Sequence, residues 1–380
     1  MIGQRLLGLP ARTRVVVAMS GGVDSSVAAA LLAEQGYEVV GVTLQLYDHG
    51  LAAGRKGACC AGQDIHDARS FAQRLGIPHY VLDFEKRFSE SVITDFADSY
   101  LRGETPIPCV RCNQEVKFGD LMTFARDLKA GALVTGHYAR RIDGPSGPAL
   151  HRGSELGRDQ SYFLFATTRK QLSFIQFPLG GCTKAEVRAQ AARFSLEIAA
   201  KPDSQDICFV PDGSYGAVVA RVRPEAVFPG EIIHVNGLAL GRHNGIIHYT
   251  IGQRRGLGLS CRSGVNNEPL YVAHLDAVRN QVTVGPREAL ARTHIHIRNI
   301  NWLADLPPPV TGLEVMVKLR STQPEVAAIL YLDPCGQAGR VVLSEPQYGV
   351  APGQACVAYQ GDRVLGGGWI VAGLGDAPKY

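Results

Sequence analysis

The sequence predicts an α/β domain built on a doubly wound parallel sheet, followed by two smaller β-rich domains. Strand and helix patterns alternate up to about residue 140, and short apolar strands between glycine- or proline-rich turns recur from about Val218. The length of 380 residues suits two or three domains. We predict a first domain with a helical extension over residues 1–217, a small β-rich central domain over 218–286 and a C-terminal β-barrel over 287–380.

The β-branched run Arg14–Met19 is typical of a buried strand, and Gly21–Gly22 separates it from a helix over Asp24–Gln35. Thr183, with Glu186 three residues later, predicts a capping box at the start of a helix. The same periodicities predict further strands at Glu38–Leu44, Pro78–Phe84, Ala132–Thr135, Tyr162–Phe165 and within Gly245–Gly252, and helices at Asp64–Leu75, Glu85–Leu101, Glu115–Leu128, Lys170–Gln176 and Lys184–Phe194.

Composition excludes several classes of protein. Hydrophobic residues make up 46% of the chain and charged residues 19%, which is enough apolar material for packed cores and excludes a disordered chain. No apolar run approaches the ~18 residues that span a bilayer, and we find no secretory signal, so we expect a cytoplasmic protein without a membrane partner. Nine cysteines without framework spacing favour reduced thiols. The net charge of +4 permits a nucleic-acid partner.

A glycine- and serine-rich loop, Ser20–Ser26 (SGGVDSS), follows the first predicted strand and opens the first predicted helix. Its backbone N–H groups, the helix N-terminus and the hydroxyls of Ser20, Ser25 and Ser26 suit a phosphate. No lysine follows the glycines, so this is not a Walker A loop. The loop resembles the PP-loop of the ATP pyrophosphatases. That resemblance implies binding of the β,γ-pyrophosphate of ATP, release of AMP and pyrophosphate, and Asp24 as a carboxylate facing Mg²⁺.

Two cysteine segments offer reactive thiols. Cys112 lies just before a helix predicted to begin near Asn113, where the helix dipole, Arg111 and Lys117 are expected to lower its pKa. Cys208 lies in a polar loop closed by apolar residues, and two such thiols suit sulfur handover through a persulfide. The remaining cysteines are expected to be small buried hydrophobes (Cys182, Cys261, Cys335 and Cys356) or to have a structural or accessory role (Cys59 and Cys60).

Together these segments resemble the tRNA-specific 2-thiouridylases over nearly the whole chain. The matching motifs, in family order, are SGGVDSS, TPIPCVRCNQEVKFG, TGHYAR, RDQSYFL, SQDICF, HNGIIHYTIGQRRGLG, KLR and APGQ. The resemblance implies an ATP-dependent sulfurtransferase that adenylates C2 of the wobble uridine in tRNA and replaces its oxygen with sulfur. It also implies a cysteine desulfurase or a sulfur-relay protein as the sulfur donor.

The resemblance assigns roles residue by residue. Cys112 is the implied nucleophile and Cys208 the implied persulfide carrier, with a transient Cys112–Cys208 disulfide. The implied ATP contacts are Ala18, Met19, Ser20, Gly21, Gly22, Val23, Asp24, Ser25, Leu44 and Gly136. The implied contacts to the target base are Ile107, Pro108 and Cys109, and those to the rest of the tRNA are His137, Arg158, Asp159, Gln160, Arg320, Ser321 and Gln354. Arginines in loops, among them Arg254 and Arg255, could hold tRNA phosphates or be scattered solvated charge.

Three alternatives stay open at the level of sequence. A PP-loop ligase or amidotransferase acting on a small molecule would share the phosphate loop, but the chain has no obvious glutaminase region. A non-catalytic RNA-binding protein would not need Asp24, Cys112 and Cys208. Finally, Cys109 and Cys112 form a C-x-x-C pair that could ligate an iron–sulfur cluster together with Cys208.

Overall fold

The computed structural model describes residues 8–47, 60–196, 201, 207–210, 213–259 and 268–373. The chain divides into two compact units. The first contains Met1–Ser91, Cys109–Pro211 and Asp362–Val364, and the second contains Val92–Pro108, Asp212–Gly361 and Leu365–Tyr380.

The first unit is organised around a parallel sheet of five strands in the order β3-β2-β1-β4-β7. Central strand β1 has three consecutive valines, Val15 to Val17, with no solvent exposure, as expected for a strand covered on both faces. An antiparallel hairpin, β5 with β6, lies between β4 and β7 in the sequence. The strands are β1 (Arg14–Ala18), β2 (Glu38–Gln45), β3 (His79–Asp83), β4 (Ala132–Val134), β5 (Ala139–Gly144), β6 (Gly147–Arg152) and β7 (Ile175–Gln176).

The helices that cover this sheet begin close to the predicted residues. The first helix, Val23–Glu34, is buried along most of its length and packs between the sheet and the helix Lys184–Arg193. The predicted capping box is confirmed, because Thr183 accepts a hydrogen bond from the Glu186 N–H and the Glu186 side chain bonds back to Thr183. The helix Cys60–Leu75 covers β2 and β3.

Two predicted helices contain π-helical turns that periodicity alone did not reveal. The segment predicted at Glu85–Leu101 is divided by a π-helix at Ser89–Ile93. The segment predicted to begin at Glu115 begins at Pro108 instead, and its middle, Cys112–Asp120, is π-helical. Such turns are often found at functional sites, and this one begins at Cys112.

Three short elements differ from the prediction, two in type and one in extent. The predicted strand Tyr162–Phe165 is a 3-10 helix at Ser161–Leu164, because short apolar runs fit either structure. The predicted helix Lys170–Gln176 ends early, as Arg169–Leu172, and Ile175–Gln176 forms β7. A 3-10 turn at Ile246–His248 replaces a strand predicted within Gly245–Gly252.

The second unit is β-rich, as predicted, although it also contains the helices Thr94–Leu101 and Tyr215–Val222. Four strands form one sheet in the order β10-β11-β8-β9. Six more follow the order β12-β15-β14-β13-β16-β17, and the pairing of β12 with β17 closes them into a barrel. The strands are β8 (Gly230–His234), β9 (Ala239–His243), β10 (Tyr271–Asp276), β11 (Gln281–Gly285), β12 (Ala291–Trp302), β13 (Leu313–Lys318), β14 (Val326–Leu332), β15 (Ala338–Tyr348), β16 (Ala355–Gln360) and β17 (Arg363–Val371).

The parallel sheet, the small β-rich sheet and the closed barrel confirm the predicted fold class. Within the residues that the structure describes, no helix is both long enough and apolar enough to cross a membrane.

Candidate functional site

The residues expected to contact ATP meet at one edge of the parallel sheet. In β1, Ala18 is aligned with Val42 of β2, and Val17 is aligned with Val134 of β4. Leu44 and Gly136 each lie two residues further along, so they share the carboxyl edge of the sheet with Ala18, where open α/β sheets bind ligands. A Cβ atom at Gly136 would lie 2.9 Å from the Ser25 nitrogen, so a side chain there would collide with the start of the first helix.

The phosphate loop has a backbone that only glycine tolerates at its turn. Gly21 has a φ of +71°, and a Cβ atom there would lie 2.3 Å from the carbonyl oxygen of Asp64. Gly22 precedes the helix without any side-chain cap, which leaves the first N–H groups of the helix directed at the loop. The side chains of Met19 and Val23 are buried, and a contact of these residues with a nucleotide stays a prediction.

The three serines of the loop have different environments. Ser20 is exposed, whereas Ser25 and Ser26 are buried. The Ser25 Oγ accepts a hydrogen bond from the Ser20 N–H at 3.1 Å, and the Ser26 Oγ donates to the Gly22 carbonyl at 3.0 Å. The Ser26 hydroxyl is thus used within the turn, and its donation to a phosphate stays a prediction.

Asp24 has a cationic partner that its sequence neighbours do not provide. Both carboxylate oxygens accept hydrogen bonds from Lys184 Nζ, at 2.8 and 2.9 Å, and the Tyr138 hydroxyl donates to one of them at 2.8 Å. Lys184 is buried at the start of its helix, while the Asp24 side chain keeps 30% of its surface exposed. The carboxylate is thus bound by Lys184 and Tyr138 on the protein side and stays open on the other.

A second lysine binds the phosphate loop itself. The Nζ atom of Lys201 donates to the Gly21 carbonyl at 3.2 Å and to carboxylate oxygens of Asp64 and Asp67 at 2.6 and 2.8 Å. Burial lowers the pKa of Lys201, but the hydrogen bonds with Asp64 and Asp67 outweigh burial and raise it. The loop is therefore fixed against the helix Cys60–Leu75 through this ammonium group as well as through Gly21.

Cys112 is buried, at the junction between a short α-helix and the π-helix. Burial raises the pKa of its thiol, and the positive charge of Lys117 lowers it by less. The expected lowering of the pKa is therefore wrong in direction. The helix dipole acts mainly within the first turn, but the helical segment begins at Pro108, so Cys112 lies beyond that turn. Cys112 is also buried, and burial disfavours the charged thiolate.

Cys208 lies in a turn closed by a hydrogen bond from the Val210 N–H to the Ile207 carbonyl at 2.9 Å. Phe88 contacts two aromatic residues of this site. Its ring centroid lies 5.8 Å from that of Phe209 and 6.0 Å from that of Tyr47. Cys208 is exposed.

The two predicted sulfur-handling thiols come into electrostatic contact. Burial raises the pKa of Cys208 to about 12, and negative charge on Cys112 and on Cys109 contributes to this shift. Lys117 and a hydrogen bond with Tyr47 oppose it. Cys112 and Cys208 are distant in sequence, yet charge on Cys112 acts on Cys208. Both are held as neutral thiols at neutral pH.

The residues expected to contact tRNA in the first unit are mostly engaged within the protein. His137 lies between Phe118 and Phe177, at 6.2 and 6.1 Å between ring centroids, and burial lowers its pKa to about 3. Asp159 accepts hydrogen bonds from the Gly153 and Ser161 N–H groups, and Gln160 accepts one from the Tyr138 N–H. Arg158 is exposed.

In the second unit, Gln354 also acts within the protein. Its Nε2 donates to the Thr105 carbonyl at 2.9 Å, and the Thr105 N–H donates to the Pro352 carbonyl at 2.7 Å. The guanidinium of Arg320 occupies space left by a glycine, since a Cβ atom at Gly349 would lie 2.8 Å from its Nη2. Ser321 is partly exposed.

The three residues expected to meet the target base differ in exposure. Ile107 and Pro108 are buried, whereas Cys109 is exposed. A buried Ile107 side chain leaves Cys109 as the residue of this segment with a side chain open to a ligand.

Three family models match successive parts of the chain. They are described as a tRNA methyl transferase HUP domain, over residues 13–212, a tRNA methyl transferase PRC-barrel domain, over 217–286, and an aminomethyltransferase β-barrel domain, over 292–370. The first of these alone matches more than half of the 380 residues.

Curated relatives match almost the full length. A tRNA-specific 2-thiouridylase of Rhodospirillum centenum is 63% identical, and the match covers 97% of this chain and 95% of the relative. The chain belongs to the tRNA-specific 2-thiouridylase family. Proteins of the same name from Parvibaculum lavamentivorans and Paracoccus denitrificans are 60% and 58% identical, over 98% and 95% of this chain and 94% and 92% of theirs.

The other cysteines divide by environment in this member of the family. Cys356 is buried in the barrel core, as expected, and Cys182 is partly buried. The expectation was wrong for Cys335, which is exposed on a turn where its thiol donates to Asp333 at 3.1 Å. Cys59, Cys261 and the side chain of Cys60 lie outside the described residues.

Sequence reasoning missed four side chains that surround the family's motifs: Tyr47, Tyr138, Lys184 and Lys201. Tyr138 and Lys201 lie within or next to motifs already singled out, in TGHYAR and immediately before PDSQDIC. Lys184 follows the predicted cap Thr183, and a lysine in the first helical turn is an unusual choice beside a helix dipole. A lysine at this position was therefore the sequence feature that indicated a buried acidic partner such as Asp24.

Proposed function

We propose that this chain is an ATP-dependent tRNA sulfurtransferase that converts the wobble uridine of tRNA to 2-thiouridine. The observation that carries the proposal is that the Cys112 and Cys208 thiols lie close enough for charge on Cys112 to raise the pKa of Cys208, in the same unit as a phosphate loop. The relatives are named as tRNA-specific 2-thiouridylases, which supports the same substrate and product. A small-molecule ligase would need the phosphate loop but not a pair of thiols.

ATP binds at the carboxyl edge of the parallel sheet, with its β,γ-pyrophosphate on the loop Ser20–Ser26. Mg²⁺ bound with ATP would neutralise phosphate charge, and Asp24 would be the protein carboxylate that holds it. This assignment fits the donor set, because magnesium sites at phosphates use one or two carboxylates, which other groups usually orient. Lys184 and Tyr138 hold Asp24 in this way.

The first chemical step activates the base. The O2 oxygen of uridine attacks the α-phosphorus of ATP, pyrophosphate leaves, and C2 carries an AMP group. A wobble uridine lies in an unpaired loop, so the enzyme can turn it out of the anticodon stack at modest cost.

The second step transfers sulfur from a persulfide on Cys208. The terminal sulfur attacks C2 and AMP leaves with the former O2 oxygen. The Cys112 sulfur then attacks the inner sulfur of Cys208 and gives up its thiol proton, so the S–S bond to the transferred sulfur breaks and a Cys112–Cys208 disulfide forms. N3 of the base, which loses its proton on adenylation, takes up a proton at this step. The two electrons remain on the transferred sulfur, which becomes the thiocarbonyl of 2-thiouridine. A thiol reductant regenerates both cysteines, and a cysteine desulfurase or a relay protein reloads Cys208.

The experiment that tests this function uses the full chain with unmodified tRNA, ATP–Mg²⁺ and a persulfide source. The tRNA is digested and its nucleosides are weighed by mass spectrometry, with an ATP-free control. ATP-dependent 2-thiouridine is the expected product. Formation of AMP and pyrophosphate that depends on tRNA, without a thionucleoside, would reject the sulfur source and keep the adenylation step. Neither product would favour the small-molecule ligase.

The iron–sulfur alternative fits the described residues poorly. Charge on Cys109 and Cys112 contributes to the raised pKa of Cys208. Among the described residues, however, no group of three His, Cys, Asp or Glu side chains is arranged to hold a metal ion. We therefore assign no step to a cluster. Anaerobic reconstitution with iron and sulfide tests it directly, and a stoichiometric visible absorbance lost in Cys109→Ala would require the role of Cys208 to be rewritten.

A further inference from the structure

The phosphate loop has no positive side chain of its own. Between Ala18 and Ser26 the sequence contains neither lysine nor arginine. Loops of the Walker type place a lysine on the β- and γ-phosphates, and it contributes a charge that backbone N–H groups alone do not. The structure brings two lysines from distant parts of the chain to this loop, Lys184 and Lys201.

The two lysines differ in what they can offer a ligand. Lys184 is buried, with 8% of its side chain exposed, and its ammonium binds both oxygens of Asp24 and lies 5.7 Å from the ring centroid of Tyr138. Lys201 keeps 31% of its side chain exposed. Its ammonium is bonded to the carbonyl of Gly21, so it lies at the rim of the loop.

The three hydrogen bonds of the Lys201 ammonium differ in length. Its bonds to Asp64 and Asp67 are 2.6 and 2.8 Å long, while that to the Gly21 carbonyl is 3.2 Å. An ammonium has three protons, so the two carboxylates fix its position and the longest bond is the one that a phosphate oxygen can replace. Gly21 also packs directly on the backbone of Asp64, so loop and lysine share one support.

We infer that Lys201 is a phosphate-binding residue, whose ammonium, positioned by Asp64 and Asp67, donates a hydrogen bond to the β,γ-pyrophosphate of the bound nucleotide. This inference rests on the proposed function only in taking ATP as the nucleotide. Asp64 and Asp67 keep the lysine charged and aimed at the loop. Lys184 has the separate task of orienting Asp24.

The test measures dissociation constants of the full chain for ATP, pyrophosphate and AMP by calorimetry. In Lys201→Met, binding of ATP and of pyrophosphate should weaken about 10- to 100-fold, the range for one charge-assisted hydrogen bond, while binding of AMP stays within about twofold. Lys201→Arg should restore part of the loss. Lys170→Met, which removes an exposed lysine of the same unit, is the matched control and should leave all three constants unchanged.

A merely structural Lys201 predicts a different pattern. ATP, pyrophosphate and AMP would then lose affinity together, with a lower melting temperature, and that result would overturn the inference. Unchanged ATP binding in a folded Lys201→Met protein would overturn it as well. If that variant does not fold, Lys201→Gln, which keeps a donor for Asp64, is titrated instead. Failure of the wild-type chain to bind ATP would contradict the proposed function rather than the role of Lys201.

Discussion

The phosphate loop and the two thiols lie in the same unit but differ in how the protein positions them. The loop consists of consecutive residues whose backbone is fixed by Gly21, by the Ser26–Gly22 hydrogen bond and by Lys201. The thiols come from distant segments, one buried and one exposed, and the surrounding protein raises the pKa of each. The site for a charged ligand thus depends on a fixed backbone, whereas the site for sulfur depends on two side chains from different segments whose thiols stay protonated at neutral pH.

The largest expected effect tests whether the two regions act in separate steps. Cys208→Ser and Cys112→Ser should each lower 2-thiouridine formation by about 1,000-fold or more, because each removes a sulfur nucleophile. AMP formation that depends on tRNA should persist in both, since the phosphate loop is intact. Mass spectrometry of nucleosides and a pyrophosphate assay measure the two steps.

The control for these variants is Cys335→Ser, which changes an exposed thiol in the other unit and should thiolate normally. Normal thiolation by Cys208→Ser with a persulfide donor would exclude Cys208 as the sulfur carrier. Loss of adenylation in the same variants would show that loop and thiols are not separable.

Thiol reactivity tests how strongly the cysteine site is protected. A pKa near 12 instead of 9.0 leaves Cys208 with about one-thousandth of the ordinary thiolate fraction at pH 8. Its alkylation by iodoacetamide should therefore be slow and should rise about tenfold per pH unit between pH 7 and pH 10. Peptide mass spectrometry follows Cys208 and the exposed Cys335 in the same sample. A rate that levels off by pH 9 would contradict the raised pKa.

The same shifts predict how stability depends on pH. The pKa values of Cys112 and Cys208 are raised in the folded state, so the unfolded chain ionises these thiols first. Their contribution to stability is complete below about pH 8.5 and is lost as the pH rises further. Chemical unfolding of wild type and of Cys208→Ser from pH 7 to pH 10 should show a smaller alkaline loss in the variant.

Two glycines with similar backbone angles, Gly21 and Gly36, test how rigid the phosphate loop is. Gly36→Ala places a Cβ atom in open space at a φ of +80° and should cost about 1–2 kcal/mol of unfolding free energy. Gly21→Ala adds a collision with the Asp64 backbone, so it should cost more and should also weaken ATP binding. Denaturant unfolding and ATP titration measure both variants. Equal effects would show that the loop adapts to a side chain.

The same contrast explains what could be predicted from the sequence. The phosphate loop was recognisable because its chemistry depends on consecutive residues, and the strands β1, β2 and β4 were recognisable from their β-branched runs. The raised pKa of Cys112 was not, because it depends on burial and on a helix that begins at Pro108 rather than near Asn113. Lys201 at Gly21 was not either, since a contact across the whole domain leaves no local pattern.

The smallest expected effect concerns tRNA binding by the second unit, which should leave the first unit's ATP site untouched. Arg254 and Arg255 are both exposed. If they hold phosphates, Arg254→Ala with Arg255→Ala should weaken tRNA binding about tenfold at low salt and flatten the slope of log affinity against log salt by about 1.4 to 1.8, with ATP affinity unchanged. Arg279→Ala, an exposed arginine of the same unit paired with Asp276, is the control. Filter binding from 50 to 200 mM salt, a range over which about two lost phosphate contacts are resolved, measures the slope. An unchanged slope would place Arg254 and Arg255 among solvated charges and would leave Arg158 and Arg320 to account for the attraction of tRNA.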